Sequence, residues 1–146
     1  MTDITQTSRA STLWTAAGLG LLWNLFGIFR FATTEFADKA QHVAAGMTPD
    51  QAAMYVDLPL WMKLAFAVGV FGGAIGCGLL LVKRRQALLV FSASLIGYVI
   101  LFLGVITLGV FAAFGTPQIM IIAMVLLIAA ALLWYAQRLS QQGALD

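Results

Sequence analysis

The sequence predicts an all-α integral membrane protein, a four-helix bundle of N-in/C-in topology with a short amphipathic helix in its external loop. Three observations lead there. Of the 146 residues, 62% are hydrophobic and 10% are charged, whereas a soluble domain is typically about 25% charged. Four apolar runs are each long enough to cross a hydrocarbon core of ~30 Å. The polar residues gather mainly in one segment, 33–58, and in the basic triplet Lys83, Arg84 and Arg85. The whole chain, 1–146, reads as a single transmembrane domain.

Residues Met1 to Ser11 are expected to form a polar tail. The first span then covers about 13–32. Its apolar run is too long for the core of a signal peptide, so it reads as a retained helix. Arg30 lies at the far end, where its stem can follow apolar surface while the guanidinium reaches the headgroups. Lipid offers no partner for exposed backbone groups, so each span must be helical.

Segment 33–58 is the sizeable polar stretch. Glu35 and Lys39 stand four apart in the favourable order for a helical ion pair. The first helix is therefore expected to run on to about Ala45, with Gly46 breaking it. Thr48-Pro49-Asp50-Gln51 is a second start signal, with Thr48 capping and Gln51 completing a capping box. The helix that follows, to about Val56, should lie on the membrane surface through Met54 and Tyr55. Asp57 is placed to cap the next helix, with Pro59 in its first turn.

The second span is 60–82, with Trp61 and Lys63 as interfacial anchors. The basic turn after it is short, so the second and third helices form a tight antiparallel hairpin. The third span is about 87–111, followed by a loop over 112–116. Thr116 is expected to cap the fourth span, about 118–136, with Pro117 in its first turn. Trp134 and Tyr135 mark its interface, and Ser140 to Asp146 should fray. Four spans put both termini on one side. Arg9, Lys83, Arg84, Arg85 and Arg138 share that side, against Arg30, Lys39 and Lys63 on the other. Lys83, Arg84 and Arg85 set the topology, with both termini cytoplasmic by the positive-inside rule.

The second span carries the most conspicuous pattern. Ala65, Gly69, Gly73 and Cys77 recur every four residues, and Gly72 and Gly76 form a second small pair beside them. Small residues let membrane helices approach closely. The stripe suits packing inside the bundle, a homodimer interface, or a groove for a lipid, pigment or substrate. Asn24 stands near the middle of the first span and must find a hydrogen-bond partner there. Ser94 and Tyr98 on the third helix are the expected partners. Trp23, Asn24, Ser94 and Tyr98 thus form either a structural polar centre or a substrate contact.

Chemistry is otherwise sparse. No Asp, Glu or His lies within a span, although proton and ion pathways use such residues. Glu35, Asp38 and His42 would share one helix face if the first helix continued outward, which makes at most a weak metal or proton site. Cys77 reads as a small buried residue, and a lone cysteine allows no internal disulfide. The net charge of +2 is too small and scattered for nucleic-acid binding. No cofactor, bound metal or enzymatic activity is expected.

Leu22, Trp23, Asn24 and Gly27, then Pro59, Trp61, Gly72, Gly73, Gly76, Arg84 and Arg85, form a pattern that resembles a group of small proteobacterial membrane proteins. That group has a Leu-Trp-Asn-x-x-Gly first helix and a Pro-x-Trp second helix running through glycines to a basic turn. The group is commonly labelled "sugar transporter". This chain departs from it at Leu89-Val90-Phe91, where a proline is expected near the phenylalanine. The resemblance implies a shared fold, location in a bacterial inner membrane, and a neutral, sugar-like solute. Two functions follow as expectations. One is an oligomeric transporter whose path lies beside the glycine stripe. The other is a non-catalytic accessory or assembly subunit docking on a larger membrane complex. The lipid bilayer is the partner common to both.

Overall fold

A computed structural model describes residues 2–146, the side chains of residues 2–7 and of Arg9 excepted. The Arg9 side chain, counted above among the basic charges, lies outside the described residues. The chain is 83% helical, with no strand among the described residues. Its helices are α1 (Thr2–Glu35), α2 (Lys39–Ala44), α3 (Pro49–Val56), α4 (Leu60–Leu81), α5 (Ala87–Thr107), α6 (Val110–Phe114) and α7 (Thr116–Gln141). Four of them, α1, α4, α5 and α7, are long and apolar enough to cross a membrane. The protein is an all-α, multi-pass membrane bundle.

The α4–α5 hairpin is the spine. Helix α1 packs along α4, α7 packs along α5, and α1 meets α7 only lightly. Three clusters of buried side chains run down the interior. One, around Leu80, Phe91 and Leu132, lies towards the α4–α5 turn. The second, around Val70, Tyr98 and Ala129, sits midway. The third, around Met62, Val105 and Ile122, lies beneath α3. Large apolar side chains such as Leu22, Phe29, Leu89 and Leu127 point outward. An exposed apolar surface of this extent suits contact with lipid tails.

Helix α1 begins earlier than expected, because residues 2–11 are helical rather than a loose tail. The hydroxyls of Ser11, Thr12 and Thr15 donate to main-chain oxygens one turn back, so those polar residues are satisfied within the helix. It also ends earlier. Asp38 and Gln41 form a reciprocal capping box, both bonds at 2.8 Å, and start a separate helix at Lys39. The predicted Glu35–Lys39 pair therefore does not form, and Glu35 faces Lys63 instead. A box that satisfies two backbone groups outweighs one exposed ion pair, each of whose partners stays hydrated.

Gly46 ends α2 at a φ of +104°, as its position suggested. Thr48 and Gln51 form the expected capping box on α3. Met54 and Tyr55 of helix α3, expected to face the membrane surface, turn towards the bundle instead. Gln51 Nε2 donates to the carbonyl of Ala113 at 2.8 Å. Met54 packs on the cluster around Met62, and Tyr55 packs between His42 and Phe114. Its apolar face covers the bundle's own end. Asp57 closes α3 instead of capping α4, whose first flanking residue is Pro59 with no side-chain cap.

Further corrections lie in the second half. Helix α5 stops at Thr107 because Gly109 turns left-handed, at φ 71°, and the expected loop contains the short helix α6. Gly115 flanks α7, and Thr116 is its first residue and provides no cap bond. The end of the chain is not frayed. Gly143 adopts φ 67°, and Leu145 tucks into the core at 8% exposure. Asp146 donates its N–H to the carbonyl of Lys83 at 2.8 Å and accepts from Arg85 N–H at 2.6 Å. The tail thus closes the bundle against the basic turn.

Candidate functional site

Two polar places stand out in an otherwise apolar molecule. One is the middle of the bundle and the other is its capped end, where α2, α3 and α6 lie.

At the middle, Asn24 is buried on α1. Its Nδ2 donates to the carbonyl of Gly20 at 2.8 Å, within its own helix. Neither Ser94 nor Tyr98 is its partner, contrary to the expectation. Ser94 Oγ donates across to the carbonyl of Gly69 at 2.6 Å. That bond ties α5 to α4 by satisfying two groups that lipid could not hydrate. Tyr98 lays its ring over Gly69, where an added Cβ would come within 2.5 Å of it. Asn24 in turn lies over Gly73, and an added Cβ there would fall on its Oδ1.

The small-residue stripe is therefore filled from within. Gly69, Gly72 and Gly76 take Tyr98, Ser94 and Phe91 from α5. Ala65 lies against Gly97, whose added Cβ would meet the Ala65 carbonyl at 2.8 Å. Gly73 and Cys77 face α1, where Cys77 Sγ crowds Gly20. Cys77 is fully buried, a small core residue. Of the uses open to the stripe, packing inside the bundle is the one this geometry contains.

Trp23, Asn24, Ser94 and Tyr98, four residues singled out in the sequence, do meet. Together with Gly73 and side chains of α7 they line an internal crevice of about 10 Å³. That is space for roughly one water molecule. It is far smaller than a ligand pocket of roughly 300 Å³ or more.

The capped end holds more chemistry. Glu35, at the last position of α1, accepts from the Tyr55 hydroxyl at 3.1 Å through Oε1. Its Oε2 lies 3.9 Å from Lys63 Nζ and has no hydrogen-bond partner. His42 is 3% exposed, its ring centroid 4.9 Å from that of Tyr55, and its Nε2 has no hydrogen-bond partner. Burial and then the Glu35 charge push the Tyr55 hydroxyl up to about 12. The expected face of Glu35, Asp38 and His42 is not built, because the helix breaks between them and Asp38 caps α2. Among the described residues no group of three or more His, Cys, Asp or Glu could hold a metal ion.

Tyr55, Lys63 and Gln51 are the contacts that sequence reasoning missed here. The Asp38-x-x-Gln41 spacing was a readable signal for the new helix. The meeting of Glu35 with Lys63 had none, since it depends on how α2 and α3 fold back. Between the end of α1 and α2 an open groove of about 480 Å³ remains, with Arg30, Gln41 and His42 among its walls. At the opposite end Lys83, Arg84 and Arg85 are exposed, and Lys83 sits in the left-handed region at φ 57°.

Fold and sites define a class: a small multi-pass α-helical membrane protein with a tightly packed interior and a folded polar cap. No family model, curated protein or solved structure matches the chain.

Proposed function

We propose that the chain is a non-catalytic accessory or assembly subunit of a larger membrane complex. It sits in a bacterial inner membrane with Lys83, Arg84 and Arg85 on the cytoplasmic side and the α2–α3 cap outside. One observation carries the reading: the glycines Gly69, Gly72, Gly73 and Gly76 of α4 are covered by the chain's own side chains, and the central crevice has room for about one water. A molecule so filled acts through its surfaces. The partner meets the apolar outer faces of α1 and α7, where Trp14, Leu19, Leu127 and Trp134 are exposed, and not the glycine stripe. Purification in mild detergent followed by mass spectrometry tests this. A foreign membrane protein in fixed ratio to this chain is the expected result. Recovery of this chain alone sinks the proposal.

A second reading keeps a specific observation on its side. Trp23, Asn24, Ser94 and Tyr98 converge on one crevice inside the bundle, as a solute site in its closed state would require. On that reading the protein is an uncoupled carrier of a neutral, sugar-like solute acting as an oligomer, in line with the resemblance described above. Uptake of neutral sugars into liposomes holding the purified protein, lowered by Asn24→Ala, is its expected signature. Absence of uptake removes it.

A further inference from the structure

We propose that the groove between the end of α1 and α2 is a binding site for a phosphate ester, supplied by the headgroup of a membrane phospholipid. The inference concerns the capped end and does not depend on either reading of the bundle.

The groove measures about 480 Å³ and is open to the outside. That is ample for a phosphate and its glycerol. Its polar wall holds two groups with donors free for a ligand, Arg30 and Gln41. Arg30 is exposed and has no carboxylate partner, since the ion pair formed among the described residues joins Lys63 to Glu35. Gln41 uses its Oε1 to accept the Asp38 N–H, and its Nε2 makes no hydrogen bond among the described residues. His42 also lines the groove, but it is 3% exposed and its Nε2 is buried, so it adds bulk to the wall and no donor.

The neighbouring hydroxyls add no donor of their own. Thr33 and Thr34 also line the groove. Both spend their hydrogens on carbonyls of α1, that of Arg30 at 2.7 Å in the case of Thr34. The nearest carboxylate on α1, Glu35, is engaged by Tyr55 and Lys63. The exposed guanidinium, with the Gln41 amide on the same wall, suits phosphate, which Arg recognises through a planar pair of donors; the nearby Asp38 carboxylate accepts from the Gln41 N–H.

The lipid is preferred as the source because of what lies below Arg30. Leu22, Phe26 and Phe29 are exposed on the preceding turns of α1, and they form an apolar track on which an acyl chain can lie. Arg30 stands at the top of that track, where a headgroup phosphate sits. The apolar rim of the groove, with Phe36 and Met47, continues it.

The test uses the whole purified protein. Native mass spectrometry follows the retention of phosphatidylglycerol after detergent exchange, for the wild type, Arg30→Gln and Ala45→Trp. Arg30 is exposed, so its change leaves the core intact. Ala45 is an exposed residue of the groove, and tryptophan there fills the space without touching a charge. Each variant is expected to lose retention by about tenfold or more, Arg30→Gln through the loss of one charge-assisted contact and Ala45→Trp by occupying the groove. A combined Lys83→Gln, Arg84→Gln and Arg85→Gln variant controls for charge alone and should retain lipid at this site. A parallel titration with glycerol phosphate in lipid-free detergent distinguishes the sources. Arg30-dependent binding of glycerol phosphate, with no lipid retained, makes the ligand a soluble phosphate ester and overturns the lipid assignment. Equal retention by wild type, Arg30→Gln and Ala45→Trp, or loss only in the basic-turn variant, overturns the site.

Discussion

The carboxamide of Asn24 on α1 occupies the space that a side chain at position 73 of α4 would need. With Gly20 against Cys77 and Gly27 against Val70, this relationship sets how near the two helices lie. It also explains a polar residue in the apolar first span: Asn24 satisfies its Nδ2 on its own helix and presents a flat group to a glycine.

The pairing predicts a coupled response. Gly73→Ala should lower stability by about 1–3 kcal/mol, the cost of overpacking a filled core. In an Asn24→Ala background the same change should cost at least about 1 kcal/mol less, because the obstructing group is gone. Thermal unfolding in detergent, run as a double-mutant cycle, measures the coupling. Additive effects would falsify the contact.

Lys83 offers the opposite case, a gain. It holds φ 57° at the end of α4, with Arg84 N–H on the Leu79 carbonyl at 2.8 Å. Glycine has no Cβ to crowd in this conformation, so Lys83→Gly should stabilise the bundle by about 1 kcal/mol. A rise in the melting temperature is the readout. Membrane orientation should hold, since Arg84 and Arg85 remain.

The ordered tail can be tested by one side chain. Leu145 packs with Leu13, Leu80 and Phe91. Leu145→Ala should cost about 2 kcal/mol, at the low end for a buried leucine because the site can collapse. It should also speed exchange of the Arg85 amide, which rests on the Asp146 carbonyl. An unchanged melting temperature and unchanged exchange would mean that the tail contributes nothing.

The cap should open in alkali. The Tyr55 hydroxyl is held up to about 12 by burial and by Glu35, while an exposed tyrosine ionises near about 10. The undocked cap therefore loses its proton first. Docking is at full strength below pH of about 10 and weakens as pH rises from there to about 12. Limited proteolysis between α2 and α4 across that range follows the opening. Tyr55→Phe should flatten the pH dependence and weaken the cap at neutral pH by about 1–3 kcal/mol, since Glu35 loses its donor.

Much of the fold was legible in advance because its signals are local. Apolar length marks a span whatever packs beside it, so the four transmembrane helices were placed to within a few residues along most of their length. Thr48 with Gln51, and Gly46, acted where they stood. The errors came from competition between signals or from distant contacts. Asp38 with Gln41 overrode a Glu35–Lys39 pair. Gly109 stopped α5 inside an apolar run that hydropathy alone carries through. Residues 140–146 read as frayed because their polar composition conceals Leu145, which joins a cluster built by α1, α4, α5 and α7.

The sequence by itself determined that this chain is a membrane bundle, how many helices cross, and which residues give the interior its polar centre. These follow from composition and spacing, which act over one or two turns. Only the tertiary structure decided what each small or polar residue faces. It set Gly73 beneath Asn24, Gly69 beneath Tyr98, and Glu35 beside Tyr55 and Lys63, and it folded the cap to leave a groove under Arg30. Such contacts join positions far apart in the chain. They depend on helix rotation and on where loops turn back, and no local pattern carries that information.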